Sequence, residues 1–251
     1  MKIIAHRGNK HVTPENTMAA FEAAARAGAH MIETDIYPCK TGEIVIMHDD
    51  DISHTTYGTG KITELSFAEV EQLDVGVKFA PAFAGQKVPT LEDLIGFYQK
   101  YPELELLLEF KGLWNESDAR RVTEALFAAN LQNRVIVESF HPETVRALSV
   151  VAPQLNRGLL IADDTIEQIN ENYGDPIELA QELNAMCINP SVELITENPD
   201  LVANIHAAGM DTLVWTANEP ALWERLLALG VAAACTDRPE FLAGWLAGRG
   251  C

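Results

Sequence analysis

No apolar run among the 251 residues approaches the ~20 needed to cross a bilayer, so no stable membrane insertion is expected. Cysteine is scarce: Cys39, Cys187, Cys235 and Cys251 lie far apart, with no CxxC or CxxH pair. A disulfide framework is therefore not expected, and three of the four thiols fall in or beside apolar runs, where reduced structural cysteine is common. Basic residues are few as well. The 18 Lys and Arg stand against 37 Asp and Glu, a net charge of −19, which repels nucleic acid and anionic membranes over most of the surface. An anionic substrate then needs a local basic pocket or a bound cation. The first residues lack the basic segment, apolar segment and cleavage site of a secretory signal, so a soluble, cytoplasmic protein is expected. No composition break, fixed-period repeat or low-complexity segment divides the chain.

What is present is a large apolar fraction, 47%, cut into short runs. Strand-length runs fall at 2–5, 31–37, 44–48, 104–110, 135–139, 157–161, 185–188, 212–215 and 232–235. Helical patterns over 15–27, 91–100, 117–129, 142–151, 176–183, 199–208, 219–229 and 239–246 separate most of them. Gly28 is a stop for the first of these. Thr90-Leu91-Glu92-Asp93 reads as a capping box opening the second, which Pro102 closes. Repeated β–α alternation in a chain of this length predicts an α/β fold, a (β/α)8 TIM barrel built as a single domain over residues 1–251. A doubly wound open sheet is the alternative. It places its ligand at one switch point, whereas here polar residues recur after strand after strand, as the C-terminal face of a barrel requires.

Nine strand runs compete for eight places. The connector 38–43 is too short for a parallel crossover, so 31–37 and 44–48 are expected to form an antiparallel hairpin turning near Thr41-Gly42. The second arm is then an extra hairpin strand, and it would carry His48 level with Glu33. Residues 49–90 have the weakest pattern, with one helix-like stretch at 66–73. They are too long for an ordinary connection and read as a small insertion at about 49–90, an active-site loop or lid at the C-terminal face.

Three strings place charged groups where apolar runs end: His6-Arg7-Gly8, Glu33-Thr34-Asp35 and Glu109-Phe110-Lys111. Charges at the ends of buried strands are costly unless paired or bound to metal. Glu33, Asp35 and Glu109 offer oxygen ligands for a divalent metal, Mg²⁺ or Ca²⁺, with Mn²⁺ a further option. Zinc is less favoured, because His6 and His48 lack the spacing of a zinc pair and no cysteine is near. His6 and His48 suit general acid–base catalysis, since imidazole titrates near neutral pH. Arg7 and Lys111 would bind non-bridging phosphate oxygens, or pair with the acids until substrate arrives. Trp215 offers a ring to a glycerol or headgroup, or to rim packing. Thr236-Asp237-Arg238-Pro239 reads as the cap of the last helix. His11, His30, His54, His141 and His206 read as structural.

In order along the chain, His6-Arg7-Gly8, Pro14-Glu15-Asn16-Thr17, Ile32-Glu33-Thr34-Asp35, His48-Asp49, Thr55-Thr56-Tyr57-Gly58-Thr59-Gly60, Val88-Pro89-Thr90-Leu91, Glu109-Phe110-Lys111, Ser139-Phe140, Val214-Trp215-Thr216 and Thr236-Asp237-Arg238-Pro239 closely resemble the glycerophosphodiester phosphodiesterase family. The resemblance runs from residue 6 to about 239. It implies a TIM barrel that hydrolyses glycerophosphodiesters to sn-glycerol 3-phosphate and an alcohol. It further implies metal at Glu33, Asp35 and Glu109, an acid–base pair at His6 and His48, and phosphate contacts from Arg7 and Lys111. The chain departs from the family at His54, where Arg is common, and at Thr41, where an acid often precedes the glycine. The short insertion resembles the cytoplasmic branch. Two other functions compete: a lysophospholipase D or sphingomyelinase D-like reaction on the same barrel, with Phe79, Phe83 and Trp114 lining an acyl groove, and non-catalytic phosphodiester binding.

Overall fold

A computed structural model describes residues 1–250. Its strands are β1 (Lys2–His6), β2 (Met31–Pro38), β3 (Ile44–Ile46), β4 (Glu105–Phe110), β5 (Val135–Ser139), β6 (Asn156–Ile161), β7 (Cys187–Pro190), β8 (Asp211–Val214) and β9 (Ala233–Thr236). Each falls on an apolar run of the sequence. All but β3 pair in parallel in the order β1-β9-β8-β7-β6-β5-β4-β2, and β1 pairs with β2 to close an eight-stranded barrel. The helices are α1 (Met18–Arg26), α2 (Phe67–Val70), α3 (Leu91–Lys100), α4 (Glu116–Ala128), α5 (Pro142–Val151), α6 (Ile166–Tyr173), α7 (Pro176–Glu182), α8 (Val192–Glu197), α9 (Leu201–Ala207), α10 (Pro220–Leu229) and α11 (Pro239–Ala247).

The period of two along each strand divides the apolar residues between two layers. Leu106, Leu108 and Phe110 of β4 join Ile32 of β2 in the core between sheet and helices, together with Leu94 and Phe97 of α3 and Val122 of α4. Leu107 of β4 instead packs with Ile4, Met31, Cys187, Leu213, Ala233 and Cys235 inside the barrel. That second set closes the barrel floor. The next inward position of each strand lies above it, at the carboxyl ends. Thr90 and Asp93 form the expected capping box of α3, while α6 and α8 were not expected. Only Ile169 is buried in α6, and α8 is six residues long, too short to show a helical period. Cys39, Cys187 and Cys235 are free and buried; Cys251 lies outside the described residues. No helix among the described residues is long and apolar enough to cross a membrane.

β2 serves two partners along one edge. It pairs with β1 as far as His6 opposite Glu33, and then with β3 from Ile36↔Ile46 to Pro38↔Ile44. The handover is possible because the chain leaves the sheet after His6, through positive φ at Arg7 (54°) and Gly8 (80°). Met47 N–H donates to the Asp35 carbonyl at 3.1 Å, and continuing that register sets His48 level with Thr34. The hairpin is as expected; its register differs by one residue from the expected Glu33. Residues 49–90 hold α2 and two short 3₁₀ turns, and bury Ile52, Ile62, Val70, Val75 and Val88 against Cys39, Val45 and Met47 of the hairpin.

Gly8 fixes the turn that aims His6 and Arg7. A Cβ there would lie 2.6 Å from the Ala20 Cβ and 2.7 Å from its carbonyl carbon, at a φ that disfavours side chains. Gly8→Ala is expected to cost about 1–3 kcal/mol in chemical denaturation. It should also lower turnover, because relief of the clash moves the loop that carries both residues.

Candidate active site

Cross-strand register assembles the site. His6 is level with Glu33, Asp35 with Glu109, and Glu109 with Glu138. A cavity of about 540 Å³ opens above the barrel floor, lined by His6, Arg7, Glu33, His48, Glu109, Lys111 and Trp215 among others. Asp35 is fully buried beside it. His6, Arg7, Glu33, Asp35, His48, Glu109, Lys111 and Trp215 therefore meet at one place. One carboxylate oxygen each from Glu33, Asp35 and Glu109 lie within 4.8 Å of one another.

Two basic groups answer the three acids. Lys111 Nζ is 2.9 Å from Glu109 Oε1 and 3.7 Å from Asp35 Oδ1. Arg7 donates its main-chain N–H to Glu33 (2.8 Å) and its guanidinium to Glu15 (2.9 Å), with Nε 3.9 Å from Asp35. Burial, and then the charge of Asp35, push Glu33 well above the usual carboxylate range and Glu109 up to about 8. Asp35 goes the other way. Burial works to raise it, but Lys111, His48 and Arg7 together with a hydrogen bond from Asn16 hold it well below that range. Its Oδ1 is buried without a hydrogen-bond partner. Three converging oxygen donors, two of them hard to ionise and one with an unmatched oxygen, fit a hard divalent cation such as Mg²⁺ or Ca²⁺.

These shifts set a pH dependence. Glu109 and Glu138, both held near 8, keep protons in the folded state that the unfolded chain loses above about 4.5, so their contribution falls as pH rises through that range. His6, held down to about 4, acts oppositely between there and 6.5. Above 6.5 the acids dominate this set. With chelator present, denaturation is expected to show stability falling from pH 6.5 to 8 by on the order of 1 kcal/mol per raised acid. A saturating divalent cation should remove that loss.

Each histidine has a carboxylate on Nδ1: Asp237 on His6 at 2.7 Å and Asp49 on His48 at 2.9 Å. An ionised carboxylate only accepts, so Nδ1 carries the proton and Nε2 is the basic nitrogen of each ring. His6 Nε2 stands 4.0 Å from Glu33. Burial outweighs the Asp237 hydrogen bond and pushes His6 down to about 4, and burial also lowers His48 against the pull of Asp35. Both rings are thus neutral near pH 7.

Asp237 corrects the reading of its segment as a helix cap. Arg238 holds the N-cap position of α11 and makes no side-chain cap bond, while the Asp237 carboxylate is shared by His6, Lys10 (3.2 Å) and Asn218 (2.8 Å). Asn16 was also unassigned. It takes positive φ (54°), donates to Asp35 at 2.8 Å and accepts from Thr34 at 2.7 Å, so the loop after β1 folds back to hold the acids. Glu138, His141 and Asn189 share the cavity wall; the inward phase of β5 was the available signal for Glu138. Trp215 donates its indole N–H to the Asn189 carbonyl at 2.8 Å and meets Phe140 edge to face at 5.5 Å. The proposed acyl groove is not assembled: Trp114 is buried against Phe110, and Phe79 and Phe83 pack on each other in the insertion. His54 is exposed, 3.5 Å from Asp49.

A sequence model described as the glycerophosphoryl diester phosphodiesterase family matches residues 6–241. A glycerophosphodiester phosphodiesterase of Caldanaerobacter subterraneus subsp. tengcongensis is 32% identical over 246 residues, covering 96% of this chain and 95% of that protein. Among solved structures, an Oleispira antarctica phosphodiesterase in complex with the product sn-glycerol-3-phosphate superposes with a TM-score of 0.83 at 26% identity, covering 98% of this chain and 97% of that one. The glycerophosphodiester phosphodiesterase of Agrobacterium tumefaciens, at 24% identity and a TM-score of 0.82, covers 97% of this chain and 99% of that one and shares the fold.

Proposed function

This chain belongs to the glycerophosphoryl diester phosphodiesterase family, and from that premise we propose that it is an enzyme hydrolysing glycerophosphodiesters to sn-glycerol 3-phosphate and an alcohol. The observation that carries the reading is the meeting of two neutral, carboxylate-oriented histidines, three buried acids and two bases around one cavity. Arg7 and Lys111 bind the phosphate, Arg7 by its planar fork and Lys111 as a point charge. One histidine takes a proton through Nε2 from the attacking hydroxyl, of water or of the glycerol itself. The other, after taking a proton from solvent on Nε2, gives it to the leaving alkoxide. Asp237 and Asp49 hold each ring by Nδ1 so that Nε2 faces the cavity. Trp215 and Phe140 form an apolar wall for the carbon skeleton.

Glu33, Asp35 and Glu109 would hold the divalent ion, Mg²⁺ or Ca²⁺, which when bound supplies positive charge to the phosphoryl oxygens. Lys111, which pairs with Glu109 and Asp35, would be free for the phosphate with those acids bound to the ion. A single domain with residues 49–90 as its insertion, and the cytoplasmic location, belong to the same proposal.

The test is release of sn-glycerol 3-phosphate from a panel of headgroups with Mg²⁺, Ca²⁺ or Mn²⁺. Release from at least one headgroup, abolished by chelator, is expected. No release with any headgroup or metal contradicts the proposal.

A further inference from the structure

Two polar residues of the cavity wall have no task in that chemistry. Glu138 of β5 and Asn189 of β7 lie on either side of β6, and are 2% and 1% exposed. The strand between them makes room at Gly158, which is level with Glu138 on one side and Cys187 on the other. A Cβ at Gly158 would stand 2.8 Å from Asn189 Nδ2 and 2.9 Å from Cys187 Sγ. Across that gap the Asn189 amide N–H₂ donates to Glu138 Oε2. The amide nitrogen only donates, so Glu138 Oε2 is the acceptor and a proton on Glu138 sits on its other oxygen. The bond leaves Asn189 Oδ1 buried with no partner. An unmatched buried acceptor beside a cavity is costly until a donor arrives.

We infer that Asn189 Oδ1 accepts a hydrogen bond from the C1 hydroxyl of the substrate's glycerol unit, with Glu138 as the positioning residue that keeps that oxygen free. The inference rests on the proposed hydrolysis and names which part of the substrate enters the barrel. With the phosphate at Lys111 and Arg7, the C2 hydroxyl stays close to phosphorus and C1 is the carbon farthest from it. Glu138 neighbours the phosphate-side acid Glu109, and Asn189 lies two strands further round. Leu160, Leu213 and Trp215 line the same cavity. An acylated C1 oxygen has no hydrogen to donate. The pair thereby selects fully deacylated diesters over lysophospholipids.

The test compares kcat/KM for glycerophosphocholine and its 1-deoxy analogue, in which C1 is a methyl group. Wild-type protein is expected to prefer the parent by about 100-fold or more, as sites built around a hydroxyl do. Asn189→Leu should reduce that preference to within about 10-fold by losing activity on the parent alone. Glu138→Ala should erode it by releasing the amide, and Glu138→Gln, which keeps an acceptor, should restore it. Equal wild-type rates on both diesters overturn the inference while leaving the hydrolysis intact, and need no variant to fold. So does an Asn189→Leu loss equal on both, or a change confined to choline versus ethanolamine diesters, which would assign the pair to the headgroup. If neither diester nor any other headgroup is cleaved, the hydrolysis reading falls and takes this one with it.

Discussion

His6→Ala is expected to lower kcat by about 10²–10⁴-fold at saturating metal with the folded structure retained. The ring is neutral, its Nδ1 proton is held by Asp237 at 2.7 Å, and Lys10 binds the same carboxylate oxygen at 3.2 Å. That arrangement fixes the imidazole plane and tautomer and leaves Nε2 on the cavity. A histidine conserving only packing would behave differently: its loss would appear in the denaturation midpoint, with kcat nearly unchanged. His48→Ala should give a loss of similar size. The double variant should lose much less than the product of the two, since a proton taken by one ring is useful only if the other returns one. Steady-state turnover of glycerophosphocholine with circular dichroism of each variant measures both quantities.

The second large effect couples lost activity to gained stability. Glu109→Gln removes one of three buried acids but keeps an oxygen for Lys111, which now lies 2.9 Å from the carboxylate. Burial and Asp35 already push Glu109 up to about 8, so the metal-free protein at pH 8 should become more stable on substitution, with unfolding free energy as the measure. Turnover should fall towards background. A divalent cation at 100 times its dissociation constant should stabilise wild type by about 2.7 kcal/mol and the variant by much less. Retention of full activity in excess chelator would show that the acids serve only their ion pairs.

The strands were legible because each apolar run is short, and the site because β2 and β4 carry polar residues at the inward phase, Glu33, Asp35 and Glu109. The hairpin followed from a connector too short for a crossover, but its register depends on where β1 ends, which no local pattern states. Asp237 was read as a cap because a threonine, an acid and a proline in that order resemble one locally. Its true partner, His6, lies 231 residues away and is brought near only when β9 pairs with β1. Asn16 escaped for a related reason, since its role depends on a positive φ that folds the loop back over Asp35. Glu138 and Asn189 stand on strands whose other inward residues are apolar, and their meeting depends on Gly158 in the strand between.

The most direct measurement is ³¹P NMR of glycerophosphocholine incubated with the protein and Ca²⁺ or Mg²⁺. The account predicts loss of the diester resonance and growth of sn-glycerol 3-phosphate, with free choline. Appearance of phosphocholine and glycerol, or an unchanged diester across the headgroup panel, would contradict it.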